Sequence, residues 1–307
     1  MVGDTDIHNA RAATIEISGV TDISLKGVSD LHIHANPDSS ERAFSELEFA
    51  KQAKEAGYRS VMFKSNDFSS HDRAYLIREA VPDFECFGSL VMNKTVGNEV
   101  NVYAAQKAVQ TTGNLCRCIW MPTVDAVYQY KFQKKTEKGI PVLSETGKVL
   151  PEVVKVMEIC GEADIIFATG HSSPDESIVL AQKAKEVGVK KFVVTHANSN
   201  NWKMTHDQIR KVVDLGGYVE FCYITNLWGP GTALPAFARM SDEEFLAFAS
   251  VTPERSFITT DLGQTGMPNP LEGMRRCIGT LQKAGLPQKS IDVLVRTNPA
   301  MLMGIKS

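Results

Sequence analysis

Short apolar runs alternate with longer amphipathic ones along the chain. The short runs "VSDLHIH", "YRSVMFK", "FECFGSL", "CRCIWMP", "DIIFATG", "KKFVVTH", "GYVEFCY" and "SFITTD" read as strands. The longer ones, among them "SELEFAKQAKEAG", "NVYAAQKAVQTTG", "PEVVKVMEICGEA", "SPDESIVLAQKAKEVG", "THDQIRKVVDLGG" and "SDEEFLAFASV", read as helices. Several stop at a glycine (Gly57, Gly113, Gly188, Gly216), as helix C-termini often do. "SSPDES" supplies Ser173 as N-cap, Pro174 as first helical residue and Glu176 as capping-box partner; "THDQ" repeats the device with Thr205 and Gln208. Strand–helix alternation predicts a parallel sheet with helical crossovers. Eight such strands in 307 residues predict an α/β fold, a closed (β/α)8 TIM barrel, for which about 250 residues is typical. A doubly wound open sheet is the rival, but no G-x-G-x-x-G follows an early strand.

The segment "YQYKFQKKTEKGIPVLSETGKVL" after strand four is too long for a plain loop. Its second half reads as a hairpin turning at Thr146-Gly147, an insertion over the barrel mouth. After strand eight, "NPLEGMRRCIGTLQKAG" and "PQKSIDVLVRT" read as two more helices. The expected organisation is one barrel domain over residues 1–307 with a short N-terminal extension.

Composition narrows the function classes. With 43% hydrophobic residues and a net charge of −3, the chain has ample core and no basic block for nucleic acid or an anionic membrane. No apolar run approaches a bilayer span, and "MVGDTDIHNARAATIEISG" lacks the apolar centre of a signal peptide. The six cysteines include Cys116 and Cys118 as C-x-C, which matches no zinc ribbon or redox pair, so they read as reduced structural thiols of a cytoplasmic protein. The expected partner is a small-molecule substrate, and the oligomeric state, a homo-oligomer included, is left open.

In such a barrel, chemistry sits at the C-terminal ends of the strands. Those ends carry His32 and His34 on strand one, Lys64 on strand two, His171 on strand five, His196 on strand six and Asp261 on strand eight. His32 and His34 are one residue apart, so both imidazoles project to one face and form a ready chelate for a divalent metal. Taken alone, a strand end whose histidines hydrogen-bond to solvent explains the pair equally well. Asp261 taken alone caps the loop that begins "DLGQ", and Lys64 lies over apolar surface. Together these bland readings weaken, because one architecture aims all of these residues into one cavity. Four of the seven histidines fall at strand ends, and metal binding is the better reading. His8, His71 and His206 fall in the N-terminal segment, a loop and a helix start and are given no role, although His71 follows Lys64 closely enough to border the mouth.

This arrangement, His-x-His on strand one, His on strands five and six and Asp on strand eight, resembles the pattern of the amidohydrolase superfamily. "NPAMLMGI" looks like the "NPA…LGL" tail common there, so the resemblance covers nearly the whole chain. "TGHSS", "VTHAN" and "TTDLGQ" are most similar to an amidohydrolase-like branch near the phosphotriesterase relatives. The resemblance implies that His32 and His34 hold one metal with Asp261, and that His171 and His196 hold or approach a second. Zinc is the expected ion, one or two of them, with Mn, Fe, Ni and Co as alternatives. One departure stands out: superfamily members with two metals usually bridge them with a carboxylated lysine ending strand four, and "IWMPTVD" has none. Lys64 then carries the carbamate from an unusual position or binds a substrate anion as an ammonium. A single unbridged metal is the third case.

The implied reaction is hydrolysis of an amide, lactone or other ester by a metal-activated water, with Asp261 as general base and Lys64 in the active site. Asn198 and Trp202 after strand six, and Asn226 and Trp228 after strand seven, are candidate substrate contacts; solvated loops would read much the same. Glu220, a charge inside the apolar strand "YVEFCY", either faces the cavity or pairs with a cation in the barrel wall. A one-metal decarboxylase of the same superfamily is the alternative, and a non-catalytic binding protein is a weaker one.

Overall fold

The computed structural model describes residues 22–305; the expected N-terminal extension, with His8, lies outside them. Eight strands follow in chain order around one sheet: β1 (Ser29–Ile33), β2 (Ser60–Phe63), β3 (Glu85–Val91), β4 (Cys116–Trp120), β5 (Ile166–Ala168), β6 (Phe192–Val194), β7 (Tyr218–Cys222) and β8 (Ser256–Thr259). Every neighbouring pair from β1 to β8 is parallel. Seven strands lie inside their apolar runs and β3 runs one residue past its own, to Val91; nearly every strand residue is buried, as expected where helices cover the outer face of a parallel sheet and side chains fill the inner one. The fold is a (β/α)8 barrel.

The helices are α1 (Glu46–Glu55), α2 (His71–Ala80), α3 (Val102–Gln110), α4 (Val127–Phe132), α5 (Pro151–Glu162), α6 (Pro174–Glu186), α7 (His206–Asp214), α8 (Asp242–Ala249), α9 (Pro270–Lys283), α10 (Gln288–Asp292) and α11 (Asn298–Leu302). Capping boxes start α6 at Ser173 and Glu176, and α7 at Thr205 and Gln208, each satisfying helix-end N–H groups in both directions. A π-helical turn, Val293–Thr297, joins α10 to α11. In the segment after β4, α4 precedes the expected hairpin, where Leu143 bridges Val149 antiparallel and Ser144 N–H donates to Lys148 O at 2.8 Å.

One element departs from the sequence reading. His71 does not sit in a loop but begins α2. The preceding Ser70 gives no capping signal, because its hydroxyl donates to Phe63 O at 2.6 Å and accepts from Ser89 N at 2.9 Å. His71 is buried, with Nε2 3.3 Å from Thr111 Oγ1 beyond the end of α3.

The barrel is drawn together between β8 and β1 by residues just past β8. Asp261 N–H donates to His32 O at 2.9 Å, His34 N–H donates to Leu262 O at 2.8 Å, and Ile33 bridges Leu262 in parallel. Lower in the same seam the Asp30 carboxylate replaces a strand carbonyl. It accepts from Thr260 N–H at 3.2 Å, Thr260 Oγ1 at 2.6 Å and His32 N–H at 3.1 Å. Closing the barrel thus sets Asp261 against the two histidines of β1.

Candidate active site

The seam hydrogen bonds turn the side chains of β1 and of the loop after β8 toward one point. His32 Nε2 and His34 Nε2 each lie 3.1 Å from Asp261 Oδ1. His196, at the end of β6, places Nδ1 3.7 Å from Asp261 Oδ2. Its ring centroid lies 5.2 Å from that of His32 and 5.1 Å from that of His171. The four strand-end histidines and Asp261 therefore form one cluster, and all five residues are buried.

Local backbone is bent to make it. His196 (φ 56°) and Asp261 (φ 54°) both adopt the left-handed conformation, which costs a non-glycine residue about 1–2 kcal/mol. Gly263, at φ +129°, lets the loop beyond Asp261 lie on β1; a Cβ there would sit 1.6 Å from His34 O. Gly170, just before His171, passes so close to Met121 O that a Cβ would meet it at 2.2 Å.

His32 is oriented by its neighbours. Glu220 accepts from its Nδ1–H at 2.9 Å, and Thr259 Oγ1 donates to the same carboxylate oxygen at 2.9 Å. A carboxylate only accepts, so a proton stays on Nδ1, and in the neutral ring the Nε2 lone pair faces Asp261 Oδ1. Two acceptors 3.1 Å apart repel unless a proton or a metal cation lies between them. A histidine whose second nitrogen donates to a carboxylate is the usual form of a metal-ligating histidine. The donor set, imidazoles with one carboxylate, suits a divalent cation of the zinc type.

Electrostatics favour the neutral ring for three of the four histidines. Burial pushes His34 down to about 3, His196 down to about 4 and His171 well below the ordinary imidazole value, leaving all three neutral and free to ligate. For His32 burial acts downward too, but the Asp261 and Glu220 carboxylates outweigh it and the net direction is up. Asp261 is held well below the carboxylate range: burial pushes it up, and the facing histidines more than reverse that.

Lys64 is buried directly after β2. Its Nζ lies 3.1 Å from His32 Nε2 and 5.0 Å from the centroid of the Trp120 ring. Burial lowers its pKa, against the pull of Asp261 and Glu220. Trp120 ends β4, where the resemblance led one to look for a lysine, and its ring packs 4.9 Å from that of His32. Among the loop candidates Trp202 reaches the cluster, with its ring 4.1 Å from His171 and 5.2 Å from His196. Asn198 is turned to the backbone of Cys222 instead, accepting from its N–H at 2.9 Å and donating to its carbonyl at 3.1 Å. Asn226 Nδ2 donates to Asp242 Oδ1 at 3.1 Å, at the start of α8. Trp228 Nε1 donates to Ala238 O at 3.0 Å while its ring stacks on Phe237. These last three contacts fix loops.

Cys222 escaped the sequence reading. With His32, His196 and Asp261 it offers donor atoms that all lie within 4.8 Å of one another, a cluster able to hold a metal ion. The signal was its place two residues after Glu220, on the same face of one strand.

Eight parallel strands with clustered histidines and a carboxylate at their C-terminal ends define a TIM-barrel protein with a candidate metal site where such barrels place their chemistry. Residues 27–220, well over half of the 307, match the family described as "Family of unknown function (DUF6282)". The chain belongs to that family. No curated protein matches the sequence. Among solved structures the chain is similar to an amidohydrolase from Pseudomonas aeruginosa, at 11% identity and a TM-score of 0.58 over 97% of this chain and 98% of that one. It is also similar to an organophosphorus hydrolase variant from Deinococcus radiodurans, at 12% identity and a TM-score of 0.57 over 95% and 98%. A dipeptidase described as a metallopeptidase matches at 12% identity and a TM-score of 0.58 over 91% and 98%. At these identities the likeness is one of fold, and at that level the amidohydrolase resemblance holds.

Proposed function

We propose that the chain is a metal-dependent hydrolase that cleaves an amide, lactone or other ester bond of a small molecule. The observation that carries this reading is the convergence of His32 Nε2 and His34 Nε2 on Asp261 Oδ1, both at 3.1 Å, with His32 oriented by Glu220. His32, His34 and Asp261 would hold one divalent cation, and His196 and His171 would hold or approach a second; zinc is the ion this donor set suits first. When bound, such a cation lowers the pKa of water to about 7 and polarises the bond to be broken.

The remaining work falls to the chain. Asp261 accepts the proton of the attacking water and passes it toward the leaving group, the role of a general base. Glu220 keeps the His32 proton on Nδ1. Trp202, stacked on His196 and tilted against His171, offers an aromatic face to a planar part of the substrate. Lys64 is an ammonium that binds a substrate anion or an amine that carries a carbamate; its buried place beside His32 supports a role in the site. All six cysteines are free and buried, which suits the reducing cytoplasm. No helix among the described residues is long and apolar enough to cross a membrane.

The test is turnover of a panel of esters, lactones and amides by the zinc-loaded protein, with the Asp261→Asn variant as control. Hydrolysis that depends on both metal and Asp261 supports the reading. Release of carbon dioxide from a carboxylated substrate would move the chain to the lyases instead, and no turnover at full metal loading would leave a binding protein.

A further inference from the structure

We propose that Cys222 is itself a metal ligand, its sulfur completing a mixed nitrogen–oxygen–sulfur donor set with His32, His196 and Asp261. The inference rests on the cation-binding reading above, moves His196 from the second cation to the one that His32 and Asp261 hold, and adds the kind of ion the site selects. Cys222 Sγ lies 3.1 Å from His196 Nδ1 and 3.3 Å from Thr259 Oγ1. Ligands at zinc–sulfur and zinc–nitrogen distances on a tetrahedron stand roughly 3.5 Å apart. The 3.1 Å between Sγ and His196 Nδ1 comes close to this spacing, and the same nitrogen lies 3.7 Å from Asp261 Oδ2. The four donors come from four places in the barrel, β1, β6, β7 and the turn after β8, so no single local motif gathers them.

The backbone of Cys222 is held from both sides. Asn198 engages its N–H and its carbonyl, and Thr225 Oγ1 donates to the same carbonyl at 2.9 Å. Asn198 follows His196 by two residues, so one turn positions both the nitrogen and the sulfur. Glu220, two residues earlier on β7, orients His32 in the same cluster. Among the described residues none of the other five cysteines joins such a group.

Coordination is balanced by loss of the thiol proton to solvent as the sulfur–metal bond forms, so metal uptake releases a proton. A sulfur ligand biases the site toward zinc, cobalt or iron and away from magnesium and manganese, which prefer oxygen.

The experiment is to strip the protein, reload it with Co(II) and record its near-ultraviolet absorption. The intact chain should show an intense sulfur-to-cobalt charge-transfer band, and X-ray absorption of the zinc form should show a sulfur neighbour at about 2.3 Å. Cys222→Ser should lose the band while still binding Co(II) at least about 10-fold more weakly, since loss of even an outer partner of a ligand costs that much. Stoichiometric Co(II) with neither band nor sulfur neighbour overturns this proposal and leaves the cation site standing. A band that survives Cys222→Ser overturns it as well. Failure to bind Co(II) at all overturns both. Should Cys222→Ser not fold, the X-ray absorption of the intact protein decides.

Discussion

Two of the side chains that define the cluster make separable predictions. Asp261→Asn keeps the shape of the carboxylate but removes its charge and its capacity to take a proton. It should lower kcat by about 100-fold or more with a smaller change in KM, a general base being worth that much; steady-state kinetics on any substrate found would show it, and a near-normal kcat would remove Asp261 from the role. Lys64→Ala separates two roles. Loss of a metal equivalent, with partial rescue of activity by short carboxylic acids, marks a carbamate, whereas unchanged metal content with a raised KM marks an ammonium anchor. If metal content, kcat and KM all stay as they were, Lys64 has no part in the site despite its 3.1 Å approach to His32. At this scale the sequence was informative where a residue type is costly to bury without purpose: His32, His34, His171, His196, Lys64 and Asp261 stood out as polar groups ending apolar runs, and all six meet in the structure. Cys222 did not, because a cysteine in an apolar strand reads as a small hydrophobe. Asn198, Asn226 and Trp228 looked like free loop donors, and nothing in their neighbours' identity revealed the backbone carbonyls and the Asp242 carboxylate that engage them.

The seam between β8 and β1 is the element on which the site depends, and its weak point is Asp30. Burial pushes this carboxyl from 3.8 up to about 7, against the opposing hydrogen bonds from Thr260 and His32. The unfolded chain therefore releases that proton first as pH rises. The contribution to stability is fully present below 3.8 and is lost progressively up to about 7, amounting to a few kcal/mol at most. Asp30→Asn removes the titration while keeping an acceptor for Thr260. In chelator-treated protein, the urea midpoint of the wild type should fall relative to that of the variant between about pH 4 and pH 7. A difference that stays flat across that range would mean that Asp30 is not carried protonated in the seam. The strands were readable because each is a compact apolar run between polar ends. The helices were readable where a capping box or a terminal glycine marked them: Gly57, Gly113, Gly188 and Gly216 all have positive φ at helix ends. Helix α2 lacked such a mark, since Ser70 spends its hydroxyl on β2 and β3.

For the molecule as a whole, eight strand–helix units in one chain leave few topologies open, because parallel strands need crossovers and crossovers have one hand. That is why the barrel was legible from alternation together with strand number, chain length and the lack of a G-x-G-x-x-G. Which strand ends meet was legible only through the barrel, and how they meet was not. The Glu220–His32–Asp261 line joins β7, β1 and the turn after β8, positions 188 and 229 residues from His32 along the chain. The central claim is that this line ends at a divalent cation. Elemental analysis of the purified protein beside the His32→Ala, His34→Ala double variant tests it most directly, with circular dichroism to confirm that both are folded. The account predicts at least one equivalent of a transition metal, zinc first, in the wild type and loss of that equivalent in the folded double variant. A double variant that keeps its full metal content, or a wild-type protein that takes up none when zinc is supplied, would contradict it.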